Sequence, residues 1–153
     1  MTVFRIAKKK YISTLNGMGS YLHGGRWTSI GTHAIYTAEH RSLAYLEYIV
    51  HQIRLPDWPV NLAIAALDVS EKDVFTLPIS DLPERWKDIR VSDSTKKVGD
   101  QFFSKGYLAL RIPSVIVPDE YNLVVNPLHS DFRKKVRITK TEELKLDERF
   151  RLN

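Results

Sequence analysis

The chain contains no cysteine. Disulfides, thiolate metal sites and cysteine nucleophiles are therefore excluded, and any chemistry must come from oxygen and nitrogen groups. A cysteine-free composition also suits a reducing compartment. Long apolar runs are missing too. The longest, Leu62 to Leu67, is far short of the ~20 residues that a membrane-spanning helix requires. Met1 to Tyr11 carries the basic cluster Lys8-Lys9-Lys10 with no apolar stretch behind it, which argues against a secretory signal. The expectation is a cytoplasmic protein with no membrane partner. Internal repeats and low-complexity tracts are equally absent, so nothing divides the sequence into parts.

What remains is an ordinary globular composition. At 153 residues, 43% hydrophobic and 27% charged, the chain is long enough for one domain with a proper core. Its net charge is +5, from 23 Lys and Arg against 18 Asp and Glu. That charge has two readings, an anionic partner or a merely basic surface. No stripe of Lys and Arg interleaved with aromatics appears, so direct nucleic-acid contact is not expected.

Runs rich in Val, Ile, Leu and Tyr predict strands at Val3–Ile6, Ala34–Thr37, Val60–Val69, Tyr107–Ile112, Ser114–Val117 and Tyr121–Val125. Helical periodicity predicts one helix over Glu39–Arg54 and a shorter one over Val98–Lys105, ending at Gly106. Asp81 to Asp88 reads as a helical turn, and Lys140 to Asn153 as a charged terminal helix or tail. Regular βα alternation is missing, which favours an α+β fold over a doubly wound sheet.

Three places stand out chemically. On the first helix, Leu43, Leu46, Val50 and Ile53 form an apolar stripe at about 100° per residue, and Glu47 falls just inside its edge. A carboxylate there must be paired, hydrogen-bonded or set in a cleft. A rim glutamate bridging to a neighbouring cation satisfies the pattern equally well. Gly24-Gly25-Arg26-Trp27, closed by Gly31, lets a backbone approach a ligand and offers an arginine fork for phosphate. Alone, it is also compatible with a loop carrying an exposed arginine. Ser114 heads the apolar run Ser114-Val115-Ile116-Val117, where a hydrogen-bonding role fits better than a nucleophilic one, because no GxSxG elbow or Ser-xx-Lys motif surrounds it. A strand-end serine satisfied by backbone reads the same. The five histidines lack metal-ligand spacing; His129 reads as a loop-closing residue, and no metal is expected.

The order of these features resembles the RES family, named after an Arg, a Glu and a Ser. Gly24-Gly25-Arg26-Trp27, Gly31, Tyr36, Leu43-Ala44 and Glu47 are similar to its N-terminal half. Gly106-Tyr107-Leu108, Pro113-Ser114-Val115-Ile116-Val117-Pro118, Asn122 and Asn126-Pro127 through Phe132 are similar to its C-terminal half. The three naming residues correspond to Arg26, Glu47 and Ser114. One departure is Thr28, where the family usually has Asn after the Trp; Ile30 stands where Pro is common.

The resemblance implies an ADP-ribosyltransferase-like split β-sheet core with flanking helices. Residues 1–153 would form a single RES domain, with a core of about 3–136 and a charged segment over 140–153. It further implies a toxin that cleaves the nicotinamide–ribose bond of NAD, a substrate rather than a resident cofactor. Glu47, Arg26, Tyr36 and Ser114 would be catalytic. Gly24, Gly25, Arg26, Tyr36, Ser114 and Asn126 would bind NAD. In that picture Arg26 anchors the pyrophosphate, Tyr36 stacks on nicotinamide and Ser114 hydrogen-bonds its amide or ribose. The implied partners are an Xre-type helix-turn-helix antitoxin and a second copy of the chain, as a homodimer or larger complex. Two other readings stand beside NAD hydrolysis: transfer of ADP-ribose to a protein, and a non-catalytic basic binding module.

Overall fold

The computed structural model describes residues 1–52, 58–90 and 93–150. Among them, seven strands form one mixed sheet: β1 (Thr2–Lys8), β2 (Ile35–Ala38), β3 (Leu62–Val69), β4 (Val74–Thr76), β5 (Ala109–Pro113), β6 (Tyr121–Val125) and β7 (Val136–Leu144). The strand order is β4-β5-β6-β2-β1-β3-β7. Helices α1 (Met18–His23), α2 (Arg41–Gln52), α3 (Asp93–Ser104) and α4 (Phe132–Lys135) flank it. Only β4 and β5 run parallel, joined through α3; the other paired strands are antiparallel. The α+β expectation holds.

The sheet is split near its middle. β1 pairs with β3 from Thr2↔Asp68 to Lys8↔Leu62, yet it meets β2 only at Phe4↔Ala38. One face is sealed by a cluster that crosses the split, including Val3, Ile35, Ala65, Leu67, Leu123, Val125 and Phe132. On the other face the packing divides. Trp27, Trp86, Phe102, Leu110, Ile112 and Val124 fill one side beneath α3, while Ile49, Leu62, Ile64 and Leu144 fill the other beneath α2. Each fully buried aliphatic side chain stabilises the fold by about 1.5–3 kcal/mol.

Helix α2 straddles the two halves. Leu43 and Ala44 pack over Ala38, Phe4 and Val117, whereas Ile49 turns toward Ile64 and Leu144. The predicted stripe therefore holds at Leu43 and fails at Leu46 and Val50. Leu46 is 37% and Val50 47% exposed, and Ile53 and Arg54 lie outside the described residues. A helix resting on two surfaces buries a wide arc, and apolar content alone does not reveal which arc. Glu47, between Leu43 and Ala44 on the helical wheel, consequently faces the sheet rather than the rim.

Other boundaries moved for identifiable reasons. Asn61 adopts φ 57°, so β3 starts at Leu62 rather than Val60. Helix α3 begins at Asp93, five residues before the predicted start, since its first turn is polar. The predicted strand Ser114–Val117 is a turn. Pro113 ends β5, and Ile116 and Val117 donate backbone N–H groups to the Ser114 hydroxyl rather than to a strand. The segment read as a charged tail contributes β7, whose Leu144 enters the core with Leu146 beyond it. Its charges suit an edge strand, where Arg41–Glu142, Lys9–Glu143 and Arg137–Asp68 pairs discourage edge-to-edge association. Strand β4 and helix α1 were not foreseen; both are too short for a periodic signal.

Gly99 fixes how closely α3 approaches the Arg26–Trp27 segment. A Cβ at this position would lie 1.6 Å from the Trp27 carbonyl oxygen, so the helix and the segment touch backbone to backbone. Gly19, by contrast, has open space around it in α1. Gly99→Ala is expected to lower the unfolding free energy by at least about 1–3 kcal/mol, because overpacking must push α3 outward. Gly19→Ala should be neutral or stabilising by up to about 1 kcal/mol. Chemical denaturation of both variants checks the pair.

Candidate active site

The site is built around Glu47. Its Oε1 accepts hydrogen bonds from Ser114 Oγ at 2.9 Å and from Asn122 Nδ2 at 2.5 Å. Helix α2 delivers the carboxylate, the turn after β5 delivers Ser114, and the first residues of β6 deliver Asn122. Among the described residues no hydrogen bond reaches Oε2, so one oxygen is held from two sides while the other is left without a partner there. The Ser114 hydroxyl is saturated. Its proton goes to Glu47 and its lone pairs accept the N–H groups of Ile116 and Val117, at 3.0 and 3.1 Å. No donor remains for a nicotinamide amide; Ser114 serves the carboxylate instead. The β2–α2 junction that aims Glu47 is pinned by Glu39, which takes both Nε and Nη2 of Arg111 while that guanidinium lies 3.5 Å over the Tyr121 ring.

Strand register sets Tyr36 beside this cluster. Tyr36 pairs with Val124, and Ala38 pairs with Asn122, so Tyr36 and Asn122 share one sheet face as diagonal neighbours. The Tyr36 hydroxyl accepts the Trp27 N–H at 3.1 Å and bonds Thr28 Oγ1 at 2.9 Å, which in turn bonds Ser20 Oγ at 2.8 Å. Thr28 thus joins α1, the glycine loop and β2 at a fully buried position. Gly25 is needed for the same contact, since a Cβ there would sit 2.4 Å from the Tyr36 hydroxyl oxygen. The glycine makes room for a tyrosine in the first instance, not for a phosphate. Gly24 caps α1 through its N–H to the Ser20 carbonyl.

Arg26 belongs to the glycine loop that closes on Tyr36. Its Nη1 donates to the Trp86 and Asp88 carbonyls at 2.9 and 2.8 Å, which ties the 86–88 loop to the glycine loop. Among the described residues the remaining guanidinium donors make no hydrogen bond, and the residue is half-buried. Asp100 on α3 steadies the loop from behind by accepting Ser29 N–H and Thr32 Oγ1.

The other candidates lie elsewhere. Asn126 follows the far end of β6, about 13 Å along the strand from Asn122 at about 3.3 Å per residue. Its amide is spent on the Tyr107 carbonyl and the Leu128 N–H, and it lines a separate cavity of about 450 Å³ with Asp100, His33 and His129. His129 closes its own loop, accepting the Asp131 N–H. Among the described residues no group of three or more His, Asp or Glu is placed to hold a metal. Asn122 was given no role by sequence reasoning, although one amide in the apolar run Tyr121-Asn122-Leu123-Val124-Val125 was a usable signal.

A split sheet of this order with flanking helices defines an α+β fold. It resembles the crystal structure of the M. tuberculosis MbcT-MbcA toxin–antitoxin complex with a TM-score of 0.73, at 17% identity over 94% of this chain and 83% of that one. The RES domain model matches residues 2–147, and the chain belongs to the RES family. Toxin Res of Photorhabdus laumondii is 34% identical over 151 residues, covering 97% of this chain and 96% of the relative. A protein of Sphingobium sp. named Prs ADP-ribosylating toxin is 33% identical over 131 residues, covering 80% and 81%.

Burial pushes the Tyr36 hydroxyl up to about 12, above its ordinary 10.0, more than its hydrogen bond with Thr28 lowers it. The folded state therefore holds a proton that the unfolded chain releases near pH 10. The associated stability is fully present below pH 10 and drains away as pH rises toward 12. In an ultraviolet difference titration of wild type against Tyr36→Phe, the extra phenolate should ionise last, near pH 12. An ordinary midpoint would show that the ring is solvated.

Proposed function

We propose that this RES-family protein is the toxin of a toxin–antitoxin pair and that it cleaves the nicotinamide–ribose bond of NAD, with water as the acceptor. The observation that carries the reading is the Glu47 carboxylate, held on Oε1 and open on Oε2, above the sheet face that bears Tyr36. Breaking the C1′–N bond leaves an oxocarbenium-like ribosyl centre and releases nicotinamide as a neutral base, so no general acid is required. An anionic Oε2 stabilises the developing positive charge and accepts a ribose hydroxyl. Water then bonds to C1′ and gives its proton to solvent, yielding ADP-ribose and nicotinamide.

Arg26 would anchor the pyrophosphate with the donors that the 86–88 carbonyls leave free. Tyr36 would offer its ring face, its hydroxyl being engaged with Trp27 and Thr28. Transfer of ADP-ribose to a protein is the second reading, favoured by the name of the Sphingobium relative. It shares the bond-breaking step and differs only in what captures C1′. An Xre-type antitoxin covering the cleft, a cytoplasmic setting and a dimeric or larger antitoxin-bound assembly complete the proposal.

Purified protein incubated with NAD, with and without candidate acceptors, tests it. Equal amounts of free nicotinamide and free ADP-ribose are expected; label retained on protein would favour transfer, and neither product would refute both. Glu47→Gln should abolish turnover with NAD affinity largely kept, while Arg26→Ala should mainly weaken binding. Isothermal calorimetry beside the product assay separates the two effects.

A further inference from the structure

We propose that Asn122 is a positioning residue for the reaction: its amide, with the Ser114 hydroxyl, occupies Oε1 of Glu47 and so turns Oε2 toward the substrate. The inference rests on the reading of Glu47 as the carboxylate that meets the ribosyl cation. Three features of the structure support it.

First, both donors converge on the same oxygen, at 2.5 Å for Asn122 and 2.9 Å for Ser114. A carboxylate bound on one oxygen from two directions cannot rotate freely about its last torsion. The open oxygen therefore has a defined direction before substrate arrives, and the chemistry does not have to supply that ordering. Second, the two donors belong to different anchors. Asn122 is paired within the sheet on both sides, with Ala38 and with Ile112, so its backbone is among the least free in the site. Ser114 sits in a turn, where its hydroxyl is also the acceptor for Ile116 and Val117. The rigid strand sets the position and the turn completes it. Third, Glu47 comes from α2, which packs over the split where β1 and β2 share one register pair. A helix on a weak seam needs a direct link to the β5–β6 half, and the Asn122–Glu47 bond supplies one. Among the described residues the Asn122 side chain makes no other hydrogen bond, so there its amide serves Glu47 alone.

The expected signature is a split between turnover and affinity. Asn122→Leu, which keeps the volume without a donor, should lower kcat by about 10- to 100-fold, the scale of one lost hydrogen bond to a charged group. NAD affinity should change less than threefold or so, because Asn122 is not assigned a contact with the ligand. Asn122→Ser retains a donor on a shorter arm and should recover part of the loss. Asn122→Asp, the same shape with no N–H, should be at least as impaired as the Leu variant. It also keeps the test alive if Leu fails to fold.

Steady-state kinetics for NAD cleavage, calorimetric NAD binding and thermal unfolding on all three variants and on Glu47→Gln decide the matter. An inactive Glu47→Gln beside Asn122 variants with wild-type kcat would overturn the positioning role alone. Reduced affinity at unchanged kcat would make Asn122 a binding residue and overturn it likewise. Loss of turnover only in proportion to lost folded protein would do the same. Wild-type turnover in Glu47→Gln, or no cleavage by the wild type, would instead overturn the reading of Glu47 itself.

Discussion

The structure depends on one seam. Strands β1 and β2 share a single register pair, Phe4 opposite Ala38, and the sheet on either side could drift without further ties. One face is bridged by a continuous apolar cluster that ignores the split. On the other face the packing separates into two bodies, and α2 lies across the place where they part. The polar link from that helix to the β5–β6 half is a carboxylate bound by a serine and an asparagine.

Around the seam, buried hydroxyls do the work of alignment. Ser20, Thr28 and Tyr36 form a chain from α1 through the glycine loop to β2, and the Trp27 N–H closes on its last member. Each group is satisfied within the chain, which makes its burial tolerable. Gly25 and Gly99 then bring the loop close, one by admitting the Tyr36 hydroxyl and the other by admitting α3. Arg26 extends from that loop with one end of its guanidinium on the 86–88 carbonyls. Substrate contacts through the remaining donors would therefore be felt by two loops at once.

The legible parts of the chain were those with a local cause. Strands β1, β2, β3, β5 and β6 announced themselves as apolar runs, with β6 found at its observed bounds. β7 did not, since an edge strand alternating with Lys and Glu has the composition of a tail until β3 pairs with it. Ser114 was placed on a strand because its neighbours are β-branched. Its hydroxyl instead captures two backbone N–H groups and makes a turn, a local competition that residue propensity does not resolve. On α2, apolar content pointed to Leu43, Leu46 and Val50, while packing on two surfaces kept Leu43 and chose Ala44 and Ile49 in place of the other two.

Residue chemistry and order were enough to single out Arg26, Tyr36, Glu47 and Ser114 and to connect the chain with its family, whose domain spans 2–147. Spacing along the chain carries that much because motifs are local. That Ser114 spends its proton on Glu47 was decided by tertiary packing, and that Asn122 belongs with them while Asn126 does not was decided by strand register. Asn122 lies 75 residues from Glu47 in sequence, and only the antiparallel pairing of β2 with β6 brings it within a hydrogen bond.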